Sequence, residues 1–328
     1  MVQPKTQFKQ ALRVILVFAL LIVPVGCGSS SGGLSEASGG ELQGTITISG
    51  AWALYPLMVR WGEEFQKLYP DVRFDISAGG AGKGMADALS DAVDIGMVSR
   101  EIYRDEVDKG AFWVSVTKDA VFPTVSESNP VWDDLQQQGI DRETFVGIYI
   151  TGEVTTWGQV LGRPEVTDPI HVFTRSDACG AAATWAKYLG GVQEDLLGIG
   201  VYGDPGLLDA VVKDPLGIGF NNLNYAFDMD TGEPLAGVRV APVDIDGNGV
   251  ADASEVYDTK EHAVSAVADG TYPSPPARDL NLVTRGKPEG LTKAFILWVL
   301  TDGQRFVEEV GYISLSPEKL GAERAKLD

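Results

Sequence analysis

One twelve-residue stretch, residues 244–255, carries oxygen-bearing side chains at its positions 1, 3, 5, 9 and 12. Gly249 stands at position 6, where metal-binding loops of this length turn sharply. Carboxylate, amide and backbone carbonyl oxygens at this spacing are the ligands that Ca²⁺ takes. The expected ligands are Asp244, Asp246, Asn248, the carbonyl of Val250, Asp252 through water, and both carboxylate oxygens of Glu255. The pattern predicts an EF-hand-like calcium loop, and the alternative is an acidic turn.

The segment before this loop predicts a strand, residues 238–243, and Pro242 interrupts any helix there. A pair of long helices that opens on calcium binding, as in calcium sensors, is therefore not expected. Extracellular loops of this kind bind calcium weakly, with dissociation constants of about 10⁻⁴–10⁻³ M, and hold a loop in place. We expect the calcium to be structural.

Three other segments share one design, in which a strand leads through a loop of small residues into the start of a helix. The N–H groups of a first helical turn have no partner inside the helix, and the helix dipole favours negative charge there. Each loop is therefore a candidate anion site, worth about 0.3–1 kcal/mol per dipole, although such turns also occur for packing alone. The candidate residues in these loops are Ala51, Trp52, Ala53, Ala81, Gly82, Arg175, Asp177, Cys179, Gly180 and Ala181.

Cys179 lies at the predicted start of the helix in the third of these loops. A helix N-terminus lowers the pKa of a thiol, so we expect a lowered pKa and a reactive cysteine. The chain has only two histidines, His171 and His262, and no general base is evident beside the cysteine. A cysteine-nucleophile enzyme is therefore the minor alternative to a small residue that lines a pocket.

The elements that must position these loops alternate short strands with helices. Strand patterns at residues 45–48, 72–76 and 93–97 are separated by helical patterns at residues 55–68 and 85–92. This rhythm predicts an α/β fold with mixed, mostly parallel sheets flanked by helices.

The order of the patterns also predicts two lobes. An extended stretch ends at residues 126–130, the expected crossing to the second lobe, and a strand at residues 279–284 is expected to return to the first. The predicted first lobe is residues 44–124 plus 279–328, and the second is residues 125–278. Two crossings make a hinge, with a cleft that closes around a ligand.

The N-terminus has the charge order and length of an export signal. Basic residues precede ten apolar residues, 14–23, too few to span a bilayer, which takes about 20. We predict a signal peptide at residues 1–26 and lipid attachment to Cys27, which follows a small residue. The Gly- and Ser-rich residues 27–43 are expected to form a flexible tether. The protein is therefore expected to be exported and lipid-anchored at the cell envelope.

Acidic residues dominate the composition, with 46 acidic against 26 basic residues and a net charge of −20 at pH 7. This balance argues against nucleic acid and against anionic lipid headgroups as partners. It leaves small anions open, because local dipoles bind those. With Cys27 acylated, Cys179 is the only remaining cysteine, so no intramolecular disulfide is possible.

The loop series resembles that of the periplasmic phosphate-binding proteins of the phosphate ABC importer, the PstS-like solute-binding lipoproteins. The resemblance covers nearly all of residues 44–326. It implies a two-lobed periplasmic binding protein fold of type II, a Venus flytrap, in a monomer that passes an oxyanion to a permease. The segments that carry it, in the family's order, are residues 48–56, 78–85, 94–100, 174–177, 270–278 and 298–304.

The resemblance also implies roles for four side chains. Arg175 would offer two N–H groups to a planar oxyanion edge. Asp177 would orient Arg175 and accept a hydrogen bond from a protonated oxyanion, which disfavours sulfate because sulfate has no proton to give. Ser99 would donate its hydroxyl, with Arg100 beside it. The alternative for Arg175 and Asp177 is a surface ion pair.

The sequence departs from the family where hydroxyl donors are usual, because Ala51, Trp52, Ala53, Ala81, Cys179 and Ala181 stand there. Each donor lost to a buried charged ligand costs on the order of 1.5–3 kcal/mol. Backbone N–H groups remain, and Trp52, Asn221, Asn222 or Asn224 are candidate replacement donors. We therefore expect a binding protein and not an enzyme. Its ligand is phosphate, another oxyanion or an organic ligand facing Trp52, or the protein is a calcium-stabilised interaction protein that has lost its ligand.

Overall fold

A computed structural model describes residues 42–328. The predicted signal peptide, the lipidation site at Cys27 and most of the predicted tether lie outside the described residues. The described residues form one compact unit. Within the described range, none of the helices has both the length and the apolar character needed to cross a membrane.

The described residues form strands and helices in alternation. The strands are β1 Gly44–Gly50, β2 Val72–Ala78, β3 Ile95–Val98, β4 Ala111–Ser126, β5 Ile140–Asp141, β6 His171–Arg175, β7 Ile199–Val201, β8 Gly217–Asn222, β9 Val238–Val240, β10 Val243–Asp244 and β11 Ala277–Arg285. The helices are α1 Tyr55–Leu68, α2 Ala81–Leu89, α3 Arg104–Asp108, α4 Trp132–Gln138, α5 Arg142–Val146, α6 Trp157–Val160, α7 Gly180–Leu189, α8 Gly203–Lys213, α9 Leu223–Ala226, α10 Lys260–Asp269, α11 Gly290–Val299, α12 Arg305–Glu309 and α13 Pro317–Ala325. A short 3₁₀ helix, Trp52–Leu54, precedes α1.

One mixed sheet runs through the molecule in the strand order β2-β1-β3-β11-β4-β8-β6-β7, with β9 also paired to β4. The strands at both ends are parallel, since β1 pairs with β2 and β3, and β6 pairs with β7 and β8. The central pairs that involve β4 and β11 are antiparallel. The predicted α/β fold of mixed sheet and flanking helices is confirmed.

Buried apolar side chains divide into two clusters. The first core contains Ile48 and Trp61, and the second contains Phe122 and Trp185. Strand β4 passes from the first core at Val116 to the second at Ala120, and β11 returns between Ala277 and Leu280. The outward crossing therefore lies inside a 16-residue strand and not at residues 126–130. A continuous strand can cross because its backbone groups stay paired along its length.

The first helix agrees with the sequence prediction, whereas α2 begins at residue 81 and not at 85. Its glycines serve close packing. A Cβ atom at Gly84 would lie 2.5 Å from the carbonyl oxygen of Met97 and 2.8 Å from the Cα atom of Gly50. Since only glycine fits such an approach, α2 lies directly on β1 and β3, with its N-terminus at the carboxyl ends of both strands.

Candidate functional site

The candidate anion loops meet between the two cores. The N–H of Gly82, in the first turn of α2, donates to the carbonyl of Ala178 over 2.9 Å. A Cβ atom at Gly180, the first residue of α7, would lie 2.2 Å from the Oγ atom of Ser99. The structure thus brings together Ser99, the start of α2 and the start of α7, and the cleft is closed at this point.

Arg175 ends β6, and its side chain is completely buried. Its Nε and Nη2 atoms donate to the two carboxylate oxygens of Asp177 over 2.8 and 2.7 Å. Its Nη1 atom donates to Oδ2 of Asp204 over 2.6 Å. Burial lowers the pKa of Arg175, but the charges of Asp204 and Asp177 outweigh it and hold the pKa above its usual range. These residues form a buried cluster and not a surface ion pair.

Asp204 was missed by the sequence analysis. It lies in the first turn of α8, is 1 % exposed, and its Oδ1 atom accepts a hydrogen bond of 2.6 Å from Nδ2 of Asn222. The segment from β7 to α8 has the same strand, small loop and helix order as the three predicted loops. That order was the available signal. Asn221 and Asn222, two of the candidate replacement donors, both bond to Asp204.

The network continues to the strands that connect the cores. Arg278, at the start of β11, donates to Oδ1 of Asn222 and forms an ion pair of 3.2 Å with Asp119 of β4. Its Nε atom also donates to the carbonyl of Ser99 over 3.2 Å. Burial raises the pKa of Asp119 to about 6, against the opposing charge of Arg278. A continuous polar chain therefore connects Arg175 with both crossing strands.

Ser99 follows β3 and is buried at 2 % exposure. Arg100, its predicted companion, forms a two-point ion pair with Glu106, at 3.0 and 2.7 Å, and its guanidinium lies 4.2 Å from the ring centre of Tyr103. The charge of Arg100 is therefore matched within its own segment.

Trp52 lies where the first core meets the α8 segment. An atom added at Cβ of Gly203 would lie 3.3 Å from the indole ring, and Tyr202 meets the ring edge-on with centroids 6.4 Å apart. The Nε1 atom of Trp52 is buried and has no hydrogen-bond partner among the described residues. An unpaired indole N–H is therefore present, and the role of Trp52 as a replacement donor stays a prediction.

The small residues of the loops contribute packing and backbone. Ala51, Ala53 and Ala81 are buried in the first core, and Ala181 and Cys179 in the second. Alanine side chains cannot donate, so the donors that these loops can offer a ligand are backbone N–H groups, the Nε1 atom of Trp52 and the guanidinium of Arg175. The hydroxyl groups that are usual in the family at these positions are therefore not replaced by the alanine side chains that stand there.

The prediction of a lowered pKa for Cys179 is wrong. The residue is the N-cap of α7, and its sulfur accepts a hydrogen bond of 3.4 Å from the N–H of Ala182. Burial nevertheless raises the pKa of its thiol to about 12, with Asp177 and Asp204 adding to the effect and Arg175 opposing it. The thiolate is disfavoured because burial and two nearby carboxylates outweigh the helix terminus.

The predicted calcium loop follows β10, which pairs with β5 in a separate two-stranded sheet. Carboxylate oxygens of Asp244, Asp246 and Glu255 lie within 4.8 Å of one another. Asp244 and Glu255 are 5 % and 4 % exposed, and Gly249 has a φ of +77°, which favours glycine. The donor set consists of oxygens and fits a hard cation such as Ca²⁺.

A family model of the PBP superfamily domain matches residues 35–303. The chain belongs to this superfamily, whose members bind solutes and do not form an enzyme class. It is 25 % identical to the phosphate-binding protein PstS of Bacillus subtilis over 94 % of both chains. It is also 25 % identical to the PstS of Methanocaldococcus jannaschii over 90 % of both chains.

Solved structures show the same fold. A putative phosphate ABC transporter substrate-binding protein from Clostridium perfringens, with bound phosphate, has a TM-score of 0.68 at 24 % identity, covering 83 % of this chain and 100 % of that one. A phosphate transport receptor from Vibrio cholerae has a TM-score of 0.59 at 21 % identity, covering 82 % and 100 %. The predicted periplasmic binding protein fold is confirmed.

Proposed function

We propose that this protein is a solute-binding protein that captures an inorganic oxyanion, phosphate first among them, and delivers it to an ABC importer permease. The observation that carries the proposal is the position of Arg175. Its guanidinium binds Asp177, and Oδ2 of Asp177 would lie 2.9 Å from a Cβ atom at Gly80, the residue that precedes α2. This pair from the second core therefore lies against the start of α2 on the first core, and Ser99 contacts the first turn of α7. Guanidinium N–H groups, a hydroxyl and helix N-termini are the donors that oxyanions prefer.

The relatives support the choice of phosphate. Those from B. subtilis and M. jannaschii are named for phosphate binding, and the match extends over at least 90 % of each chain. We propose that the two cores are the two lobes of a flytrap, with boundaries between residues 116 and 120 in β4 and between residues 277 and 280 in β11. Opening of the lobes admits the ligand, since the side chain of Arg175 is completely buried in the closed arrangement.

We further propose that the protein is exported and carries lipid on Cys27, which tethers it near its permease as a monomer. The proposal rests on the sequence of residues 1–43, with its basic start, apolar run and Gly- and Ser-rich tether. We propose no catalytic role for Cys179, because burial raises the pKa of its thiol to about 12 and so disfavours the nucleophilic thiolate.

Residues 244–255 are proposed to bind a structural calcium ion. Two of the three converging carboxylates are buried, and the loop has the full twelve-residue ligand pattern. The loop joins β10, at the edge of the second core, to the segment before α10. A bound ion fixes this connection and relieves the repulsion among Asp244, Asp246 and Glu255.

A second candidate function has a specific observation in its favour. Arg175 is already matched by two carboxylates, and Ala51, Ala53 and Ala81 offer no hydroxyl. These features favour a ligand other than phosphate, with an organic part against Trp52, or an interaction protein without a transported ligand. Trp52 would then supply both an aromatic face and an unpaired N–H.

Isothermal titration of the protein with phosphate, sulfate, molybdate and tungstate separates these candidates. The variant Cys27→Ser prevents lipid attachment and serves as the parent. We expect saturable phosphate binding, weakened at least about tenfold by Arg175→Lys. Lysine keeps the positive charge but loses the planar pair of guanidinium N–H donors. Arg285→Lys, at an exposed ion pair, is the matched control and should bind as the parent does. Silence toward all four oxyanions contradicts the proposal and favours the second candidate.

A further inference from the structure

Arg175 pairs with a second carboxylate, that of Asp204, in addition to Asp177, whose role the family resemblance implied. Asp177 occupies the Nε and Nη2 atoms of the guanidinium, and Asp204 occupies Nη1. An oxyanion that uses the remaining Nη1–Nη2 edge must share Nη1 with Asp204. It must also lie beside the Asp204 carboxylate, a like charge in a buried setting.

The surroundings fix Asp204 in this position. Its Oδ1 atom accepts hydrogen bonds from Nδ2 and from the backbone N–H of Asn222, at 2.6 and 3.4 Å. Its place in the first turn of α8 adds a favourable helix dipole for a carboxylate. Asn222 in turn accepts from Arg278, which holds the carbonyl of Ser99. Asp204 is thus held by partners on several elements and not by Arg175 alone.

The two carboxylates and one guanidinium carry a net charge of −1. Asp204 therefore adds a second negative charge to a guanidinium that Asp177 already neutralises. The same carboxylate opposes any bound anion, unless the anion carries a proton that it can donate to the remaining lone pair on Oδ2 of Asp204.

We propose that Asp204 is a specificity-determining residue that competes with the oxyanion for Arg175 and admits protonated oxyanions in preference to fully deprotonated ones. The inference rests on the proposed oxyanion-binding function and deepens it. It assigns the ligand class as a protonated tetrahedral oxyanion, and it explains why a site with an intact arginine can have modest affinity.

The test compares the Cys27→Ser parent with the same chain carrying Asp204→Asn, by titration with phosphate and with sulfate. Asparagine keeps an acceptor for Asn222 and removes the charge. We expect phosphate to bind at least about tenfold more tightly to Asp204→Asn, and sulfate to gain more than phosphate, so that discrimination between them shrinks. A residue with only a structural role would lose affinity on substitution and would not gain it.

Asp209→Asn removes an exposed carboxylate from the same helix and is the matched control. It should leave both affinities unchanged. If Asp204→Asn does not fold, Asp204→Ser replaces it, since a hydroxyl serves well at a helix start. Circular dichroism and thermal melting of each variant establish that it is folded.

The outcomes separate the two proposals. Phosphate binding by the parent with equal or weaker binding by Asp204→Asn and Asp204→Ser overturns the role of Asp204 and leaves the proposed function standing. Binding by the Asp204 variants alone supports the inference and overturns phosphate as the ligand of the natural protein. If neither the parent nor the Asp204 variants bind phosphate or sulfate, both the proposed function and the role of Asp204 are overturned.

Discussion

The Nη1 atom of Arg175 and the Oδ2 atom of Asp204 lie 2.6 Å apart, and both side chains are almost completely buried. The two residues belong to different strand-to-helix segments of the second core. Their pairing means that the arginine offered by the sequence is not a free positive charge. An anion that binds here must replace or share the hydrogen bond from Arg175 to Asp204, so its binding free energy includes the cost of weakening that ion pair.

Removal of Arg175 is expected to destabilise the fold. Arg175→Ala leaves Asp177 and Asp204 buried without their cation, and breaking a buried pair in this way costs about 3–5 kcal/mol. The measurement is the free energy of unfolding from urea denaturation. Arg285→Ala, which breaks the exposed pair with Asp91, should change it by less than about 1 kcal/mol. Equal stability of Arg175→Ala and the parent would show that the carboxylates are not held as charges.

A methyl group at Gly180 is expected to keep the cleft from closing. The added Cβ atom would lie 2.2 Å from the carbonyl oxygen and the Oγ atom of Ser99, so the loops must separate. We expect Gly180→Ala to weaken phosphate binding at least about tenfold and to increase the radius of gyration measured by small-angle scattering. The cause is steric and lies between the two cores.

Gly321→Ala is the matched control for the methyl group added at Gly180. Gly321 lies in α13, has open space around its Cβ position, and gains about 0.5–1 kcal/mol of helix stability from alanine. It should leave affinity and size unchanged. Unaltered affinity in Gly180→Ala would mean that Ser99 and α7 need not touch in the liganded state.

Local patterns in the sequence predicted the outer elements well. Helix α1 has the predicted bounds, because its buried residues Leu57, Trp61 and Phe65 recur every four residues. The long strand β4 was missed as a single element. It changes cores between Val116 and Ala120 with no glycine or proline to mark the change, so its pairing with β8, β9 and β11 defines it.

The candidate site shows the same division between local and tertiary information. The loop that runs from Arg175, at the end of β6, to Cys179, at the start of α7, is recognisable in the sequence because a strand pattern precedes it and a helix pattern follows it. The partner of Arg175, Asp204, lies 29 residues away along the chain. The strand, loop and helix order around it marks a candidate anion loop but does not indicate which of the 46 acidic residues pairs with Arg175. The pKa of Cys179 depends on this same carboxylate and on burial, so a rule about helix ends gave the wrong direction.

Cys179 is expected to be inert toward thiol reagents in the folded protein. Its pKa is raised from an ordinary value of 9.0 to about 12, so almost no thiolate forms at pH 8. In the Cys27→Ser parent, iodoacetamide should label the thiol at pH 8 only after unfolding in urea. Because the folded pKa lies above the unfolded one, the thiol's contribution to stability is complete below pH 9 and is lost as the pH rises toward 12.

An exposed thiol in the same loop provides the comparison. Ser176 is exposed, and the chain with Ser176→Cys and Cys179→Ala should be labelled at pH 8 without denaturant. The loss of stability above pH 9 should also be smaller in Cys179→Ala, where the buried tyrosines Tyr188, Tyr225 and Tyr257, whose pKa values burial also raises, still contribute. Rapid labelling of native Cys179 would show that its burial is transient and that the cleft opens often.

Calcium is expected to stabilise the protein through residues 244–255. Asp244, Asp246 and Glu255 place carboxylate oxygens within 4.8 Å of one another, and a cation removes their mutual repulsion. With a dissociation constant of about 10⁻⁴–10⁻³ M, calcium at about 10 mM should raise the free energy of unfolding by roughly 1–3 kcal/mol. The measurement is the melting temperature with calcium, with magnesium and with a chelator.

The variant Glu255→Gln tests whether this stabilisation arises in the loop. It removes one of the buried carboxylate charges and should abolish the calcium-dependent rise, which is measured in each variant as the difference between the melting temperatures in calcium and in chelator. Asp230→Asn, an exposed carboxylate outside the loop, should retain the full rise. Magnesium should stabilise less, because it demands six near-ideal octahedral ligands and gives up water reluctantly. A calcium response that persists in Glu255→Gln would place the ion elsewhere in the protein, and no response in the parent would identify residues 244–255 as an acidic turn.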